Sequence, residues 1–345
     1  MLDHVTLTVC PYSETSPRQS EGDLIELSDG SLLLGWTCFT GGHEDFSAAH
    51  IAARRSVDGG LTWSDAFVLQ ANRGGANTMS VSFLRYHSEL LMFFLIKDDS
   101  YTSCHCYVRR SGDDGRTWGE PIKVSAQPGY HVVNNARVLL TAYGRILVPA
   151  AWNQDERSGH ALGLCFYSDD GGMSWQQGRQ PVELAASRTG VQEPGLVELR
   201  DGSLMMIIRS DLGYIYQCQS KDGGDSWSSP EPMPLVSGVS PATVKRLPET
   251  GQLLMIWNPT VFGRFAGWRD RWPLCSAVSD DDGRTWHHIR YLEQTPGICH
   301  AYTSMTVIDH SLYLTYYEWQ DLPGRRNFEG TSLKLNIIPL SHVLP

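Results

Sequence analysis

Three segments of the sequence put a residue capable of chemistry at the same point of a similar pattern. Glu21 in SEGDLIEL, Glu193 in QEPGLVEL and Tyr302 in AYTSMTVI each precede an apolar-rich run. Arg209, Asn258 and Glu318 close the apolar runs that come next, and Arg18, Asp45 and Arg271 lie in the stretches between runs. Arginines hold anionic oxygens by paired, charge-assisted hydrogen bonds. Carboxylates and a phenol can pass a proton between them. Together these residue types suit recognition of an anionic small molecule and acid–base chemistry on it. The mouth of a purely structural scaffold can carry the same polar residues, so the case depends on what brings them together.

The runs are hairpins, and they repeat. DLIELSDGSLLLGW, VSFLRYHSELLMFFLIK, ARVLLTAYGRILVPAAW, GLVELRDGSLMMIIR, TVKRLPETGQLLMIW and SMTVIDHSLYLTYYEW give six instances of two apolar runs around a short polar or glycine turn. A second repeat is independent of the first. SVDGGLTW, SGDDGRTW, SDDGGMSW, SKDGGDSW and SDDDGRTW share S-x-D-x-G-x-[TS]-W, five times at a spacing of about 55 residues, which suits one four-stranded blade. In each turn the Asp can accept backbone N–H groups, the Gly can adopt positive φ, and the Trp can bury a large apolar area. Asp58, Asp113, Asp170, Asp222 and Asp281 therefore read as structural. The sixth hairpin leads into SLKLNIIPL without such a turn, and HVTLTV near the N-terminus can supply its outer strand. The expected fold is all-β: a six-bladed β-propeller with five Asp-box turns, closed by N- and C-terminal strands, with residues 1–345 as a single domain.

This topology assigns faces. The S-x-D turns join the third and fourth strands of a blade and share a face with the turns joining the first and second. The opposite face carries the starts of the first strands and the long loops 39–47, 153–160 and 259–273. A site is expected there, near the axis, on loops held by a rigid frame. Glu21, Met79, Asn134, Asn135, Glu193, Ser240 and Tyr302 would meet at that mouth.

Bulk properties exclude several classes. Hydrophobic residues make up 41% and charged residues 19%, enough for a core and too few charges for a disordered chain. A formal net charge of −10 argues against nucleic acid as the main partner. A few local arginines can still bind a small anion. No run suits a transmembrane helix, so no membrane partner is expected, and MLDHVTLTVCPYS does not read as a signal peptide. The expected location is the cytoplasm, or outside the cell after processing. Most of the eight cysteines read as reduced core residues. Cys104, His105 and Cys106 alternate faces of a strand and have no second ligand pair nearby, so neither a metal nor any other cofactor is expected.

The five S-x-D-x-G-x-[TS]-W turns resemble the Asp-box (BNR) repeats of the sialidase superfamily. AYTSM followed by YYE is similar to the sialidase segment with the nucleophilic tyrosine. The resemblance implies Tyr302 as nucleophile, Glu193 as its glutamate partner, Asp45 of GGHEDF as acid/base, and Glu318 as the acid holding an arginine in place. It further implies Arg209 and Arg271 (of RDRWPL) as arginines of the substrate-binding triad. The family's opening Arg-Ile-Pro motif is replaced by PRQSEGDLIEL, where Arg18 is the nearest candidate for the first triad arginine. Glu21 would hold Arg18 or replace part of the acid/base set. HVVNNARVL has no sialidase counterpart, and His131, Asn135 and Arg137 are expected to read the substrate.

The implied substrate is a glycan with a terminal acidic sugar. The carboxylate on the anomeric carbon of sialic acid would repel a carboxylate nucleophile, whereas a tyrosine approaches neutral and is activated by its glutamate. Sialidases are exceptions to the two-carboxylate rule for this reason. Two other readings compete. One is a polysaccharide lyase on uronate-containing glycans, using Tyr302, His131 and Asn135. The other is a non-catalytic glycan- or protein-binding propeller.

Overall fold

The computed structural model describes residues 4–259, 271–320 and 328–345. The apolar runs form strands because their residues alternate between two packed sheet faces, and most strands near the axis are buried along their length. The sheets are arranged as a propeller. Arg18–Glu26 packs against Asn77–Tyr86 on one side and Ile298–Ile308 on the other, and Gln192–Glu198 packs against Thr243–Arg246, which in turn meets Ile298–Ile308. First strands therefore surround the axis and outer strands form the rim.

Four sheets are separate four-stranded blades, not six. They begin at Arg18–Glu26, Gln192–Glu198, Thr243–Arg246 and Ile298–Ile308. The residues of the second and third repeats lie in one nine-stranded sheet. The cause is local. The inner run of the third repeat is broken at Asn134 and Asn135 into Gly129–Val132 and Leu139–Leu140, and the first piece pairs in parallel with Ser103–Ser111 of the preceding repeat. Val5–Cys10 pairs antiparallel with Ser332–Pro339, so the N-terminal strand forms the outer edge of the last blade.

The five Asp-box turns are near copies of one another. In the fourth, Asp222 accepts from Ser220 Oγ at 2.8 Å, from the Ser226 backbone N–H at 2.9 Å and from Ser226 Oγ at 2.5 Å. Gly224 adopts φ +91°, where an L side chain would be strained. Trp63, Trp175 and Trp286 each donate to the carbonyl of the Gly three residues before them, Gly60, Gly172 and Gly283. Arg145 reaches the Gly223 carbonyl and Ser28 N–H reaches Asp114, so inner hairpin turns and Asp-box turns share one face.

Candidate active site

Four of the innermost strands are irregular at one level, and Thr243–Arg246 pairs without a shift. Register shifts fall between Ser20 and Asp23, Met79 and Ser82, Gln192 and Gly195, and Ala301 and Ser304. Each shift contains a non-glycine residue in the left-handed region: Glu21 (φ 53°), Ser80 (57°), Glu193 (42°) and Tyr302 (57°). Ala136 (56°) holds the same conformation in the broken strand of the third repeat. Such residues each cost on the order of 1–3 kcal/mol, and bulges of this kind re-aim side chains. Here they turn Glu21, Ser80, Glu193 and Tyr302 into one recess of about 130 Å³ at the axis, on the face away from the Asp boxes.

Tyr302 and Glu193 form the centre. The Tyr302 hydroxyl donates to Glu193 Oε1 at 2.6 Å, and Arg209 Nη1 is ion-paired with Glu193 Oε2. The Tyr302 ring stacks on Tyr317, with centroids 4.9 Å apart and planes 21° apart. Arg271, fully buried, donates to the Tyr317 hydroxyl at 3.1 Å and lies 5.2 Å from the Tyr302 ring centroid. Burial raises the Glu193 carboxyl, but Arg209, the Tyr302 hydroxyl and Arg271 outweigh it and hold the group below the usual carboxylate range. Burial and the charge of Glu193 push the Tyr302 phenol well above its ordinary value. At neutral pH the proton therefore rests on the tyrosine with an ionised base beside it, the arrangement that general-base activation of a nucleophile requires.

Arg18 reaches the site despite its shifted sequence position. It is 1% exposed, and it donates to Asp45 Oδ1 at 2.6 Å and to Glu21 Oε1 at 3.4 Å. Its guanidinium carbon lies 4.5 Å from each of the Phe39 and Phe328 ring centroids, and Phe328 lies 5.6 Å from Arg271. Glu21 also accepts from Ser80 Oγ at 2.6 Å. Burial raises the Glu21 carboxyl, and Arg18 and Ser80 oppose that only in part. For Asp45 the balance is reversed. The surrounding protein raises it, while Arg18 and Lys97 hold it below the usual range.

Four expected contributors lie elsewhere. Glu318 accepts from His300 at 3.3 Å and lies 3.7 Å from Lys334, so among the described residues it holds no arginine in place. His131 alternates with Tyr130 and Val132 along its strand. Those two line the recess, while His131 points into the core beside His105 and Phe166, its Nδ1 on the Cys104 carbonyl. Burial lowers His131 to about 4. Asn135 spans the axis, its Nδ2 donating to the Gly22 carbonyl at 2.7 Å and the Tyr302 carbonyl at 3.1 Å. Arg137 lies below, donating to Thr243 Oγ1 at 3.1 Å, and lines a separate axial cavity of about 770 Å³ that opens between the inner hairpins. Of the loop 259–273, residues 260–270 are outside the described residues.

Other residues join the site beyond those expected from the sequence. Lys97 Nζ donates to the Asp45 carbonyl at 2.8 Å, and Asn77 Nδ2 donates to the carbonyls of Asp45 and Ser47, both at 2.9 Å. Lys97 faces Asn77 across its hairpin as Arg209 faces Gln192, so comparing hairpin ends would have found it. Ser80, one residue after Met79, stands at the position of Glu21 in the second repeat, so comparing repeats would have found it too, while Tyr317 carries no comparable signal. Among the described residues no three His, Cys, Asp or Glu side chains group as metal ligands.

A family model described as a BNR repeat-like domain matches residues 30–314. A sialidase of Bacteroides fragilis is 26% identical over 241 residues, covering 66% of this chain and 41% of that protein. A sialidase of Micromonospora viridifaciens is 23% identical over 326 residues, covering 84% of this chain and 48% of that protein. The chain thus spans less than half the length of either relative. Among solved structures, a Dyadobacter fermentans protein of unknown function superposes with a TM-score of 0.76 at 17% identity, covering 98% of this chain and 99% of that one. The Trypanosoma rangeli sialidase superposes with a TM-score of 0.76 at 15% identity, covering 98% of this chain and 60% of that one.

Proposed function

The chain belongs to the sialidase superfamily of BNR-repeat proteins, and from that premise we propose that it is a glycoside hydrolase of the exo-α-sialidase type. It releases a terminal sialic acid, or a related acidic sugar, with retention of configuration. The observation that carries this reading is the 2.6 Å hydrogen bond from Tyr302 to a Glu193 that is itself paired with Arg209. In the first step Glu193 takes the phenolic proton while the Tyr302 oxygen bonds to the anomeric carbon. The bond to the leaving oxygen breaks, and Asp45 protonates that oxygen. In the second step Asp45 takes a proton from water, the water oxygen replaces Tyr302 at the anomeric carbon, and Glu193 returns the proton to the tyrosine. Arg209 and Arg271 flank the Tyr302–Glu193 pair, Arg18 shares the Phe328 ring with Arg271, and the three supply cations for the sugar carboxylate. We also count the nine-stranded sheet as two blades, which makes the chain one six-bladed domain.

The lyase reading loses two of its three groups, because His131 is buried in the core and the Asn135 amide is held by two carbonyls. The direct test is release of sugar from an aryl sialoside. Free sialic acid as product supports the hydrolase. An ultraviolet-absorbing unsaturated uronate from a uronate glycan, or no product from either substrate, contradicts it.

A further inference from the structure

Arg18 has little left to offer a ligand in this arrangement. Nη1 donates to Asp45 Oδ1 at 2.6 Å and to the His43 carbonyl at 3.1 Å, Nη2 to Glu21 at 3.4 Å, and Nε to Ser20 Oγ at 3.2 Å. Of the two carboxylates on it, the Glu21 side chain is 4% exposed and the Asp45 side chain 62%. Asp45 is thus the partner that solvent, or a ligand, can reach. The backbone under Asp45 is anchored separately, through its own carbonyl to Lys97 and Asn77 and through the Ser47 carbonyl to Asn77. The side chain can therefore turn off Arg18 while its loop stays in place.

We propose that Asp45 is a specificity-determining stand-in: its carboxylate occupies the place on Arg18 that the substrate carboxylate takes, so a ligand enters by exchanging one carboxylate for the other. This rests on the carboxylate-binding reading of the site given above. A neutral sugar has nothing to exchange and leaves Asp45 on Arg18. An acidic sugar displaces Asp45 and frees it to act as the acid.

The exchange has a proton signature. With Asp45 on Arg18, that arginine is the foremost group holding the carboxyl down, ahead of Lys97. After displacement its charged neighbours are Lys97 and Arg271 on one side, and Glu21, Glu156 and the loop's own His43–Glu44 pair on the other. Loss of the Arg18 contact raises the Asp45 pKa, so Asp45 takes up a proton from the buffer as the ligand binds. Affinity for a carboxylate ligand therefore rises as pH falls through the window between the bound and released values.

The test is calorimetric titration of the whole chain with free sialic acid, in buffers of different ionisation enthalpy at about pH 5 and about pH 7. The wild type takes up protons on binding, more at the lower pH. Asp45→Asn takes up none and binds at least about tenfold more tightly at the higher pH, because one charge-assisted competitor is gone. Asp45→Ala does the same without an amide that could rest on Arg18. The methyl ester of the sugar gains nothing from either substitution. Wild-type binding without proton uptake, or substitutions that leave carboxylate affinity unchanged or weaker, overturns the exchange while the hydrolase reading stands. If neither the wild type nor the variants bind the sugar, both readings fall.

Discussion

Two sets of repeated positions circle the same axis, and they differ in one respect. In the Asp-box turns the same backbone geometry carries the same residues each time, as Asp58, Asp113, Asp170, Asp222 and Asp281 all accept from their own turn. At the inner-strand bulges a shared left-handed geometry carries Glu21, Ser80, Ala136, Glu193 and Tyr302. A repeated conformation filled with one residue is scaffold, because each copy solves one local problem. A repeated conformation filled with different residues is a frame whose copies have been given separate tasks. It holds a carboxylate, a hydroxyl and a phenol at one level, where they can meet.

That contrast breaks if the bulges prove as indifferent to chemistry as the turns. The largest effect is expected for Tyr302→Phe, which removes the nucleophile and leaves the ring stack with Tyr317. Turnover of an aryl sialoside should fall below detection while the thermal unfolding profile is retained, and full activity would remove the tyrosine mechanism. Glu193→Gln should lower kcat by about 10²–10⁴-fold, the range for loss of a general base, in a steady-state assay. It should also flatten the acid limb of the pH–rate profile, because the wild-type carboxyl sits below the usual range and must be ionised to act.

A smaller effect is expected for Asn135→Ala, which frees the Tyr302 carbonyl without touching the substrate. It should lower kcat about tenfold and leave KM nearly unchanged, as misplacement of a reacting group does. Equal losses in kcat and in thermal stability, restored in both by Asn135→Ser, would make Asn135 a structural residue only. The smallest effect on turnover belongs to the turns. Asp222→Ala should leave kcat per folded molecule unchanged and lower the melting temperature by about 2 °C. The hydrogen bonds within its turn outweigh the cost of burial and hold the Asp222 carboxyl at about 2. A depressed carboxyl stabilises the fold above its unfolded value and ceases to do so as pH falls through the folded one. The difference in melting temperature between wild type and variant should therefore persist at about pH 5 and close toward about pH 2.

The scaffold was legible because its contacts are short. Ser220, Asp222, Gly224 and Ser226 bond within four residues of one another, so the motif contains its own explanation. The count of separate sheets was not legible, because Gly129–Val132 pairs with a strand of the preceding repeat and no local pattern states that. At the site, the level of Glu21, Glu193 and Tyr302 could be read by comparing repeats. The pairing of Tyr302 with Glu193, 109 residues apart, was implied only by the resemblance, and that of Arg18 with Asp45, 27 apart, was not read at all. His131 stands apart for a simpler reason: strand alternation places its two neighbours in the recess and His131 in the core.

In the proposed mechanism Tyr302 is the group that bonds to the anomeric carbon. The protein should be incubated with a difluorinated sialic acid, digested, and its peptides sequenced by mass spectrometry. Attack by the tyrosine expels fluoride from the anomeric carbon, and the second fluorine slows release of the adduct. The result expected is one added fluorosialyl group on the peptide containing Tyr302, absent from Tyr302→Phe. An adduct on another residue, or none under conditions where an aryl sialoside is turned over, would contradict it.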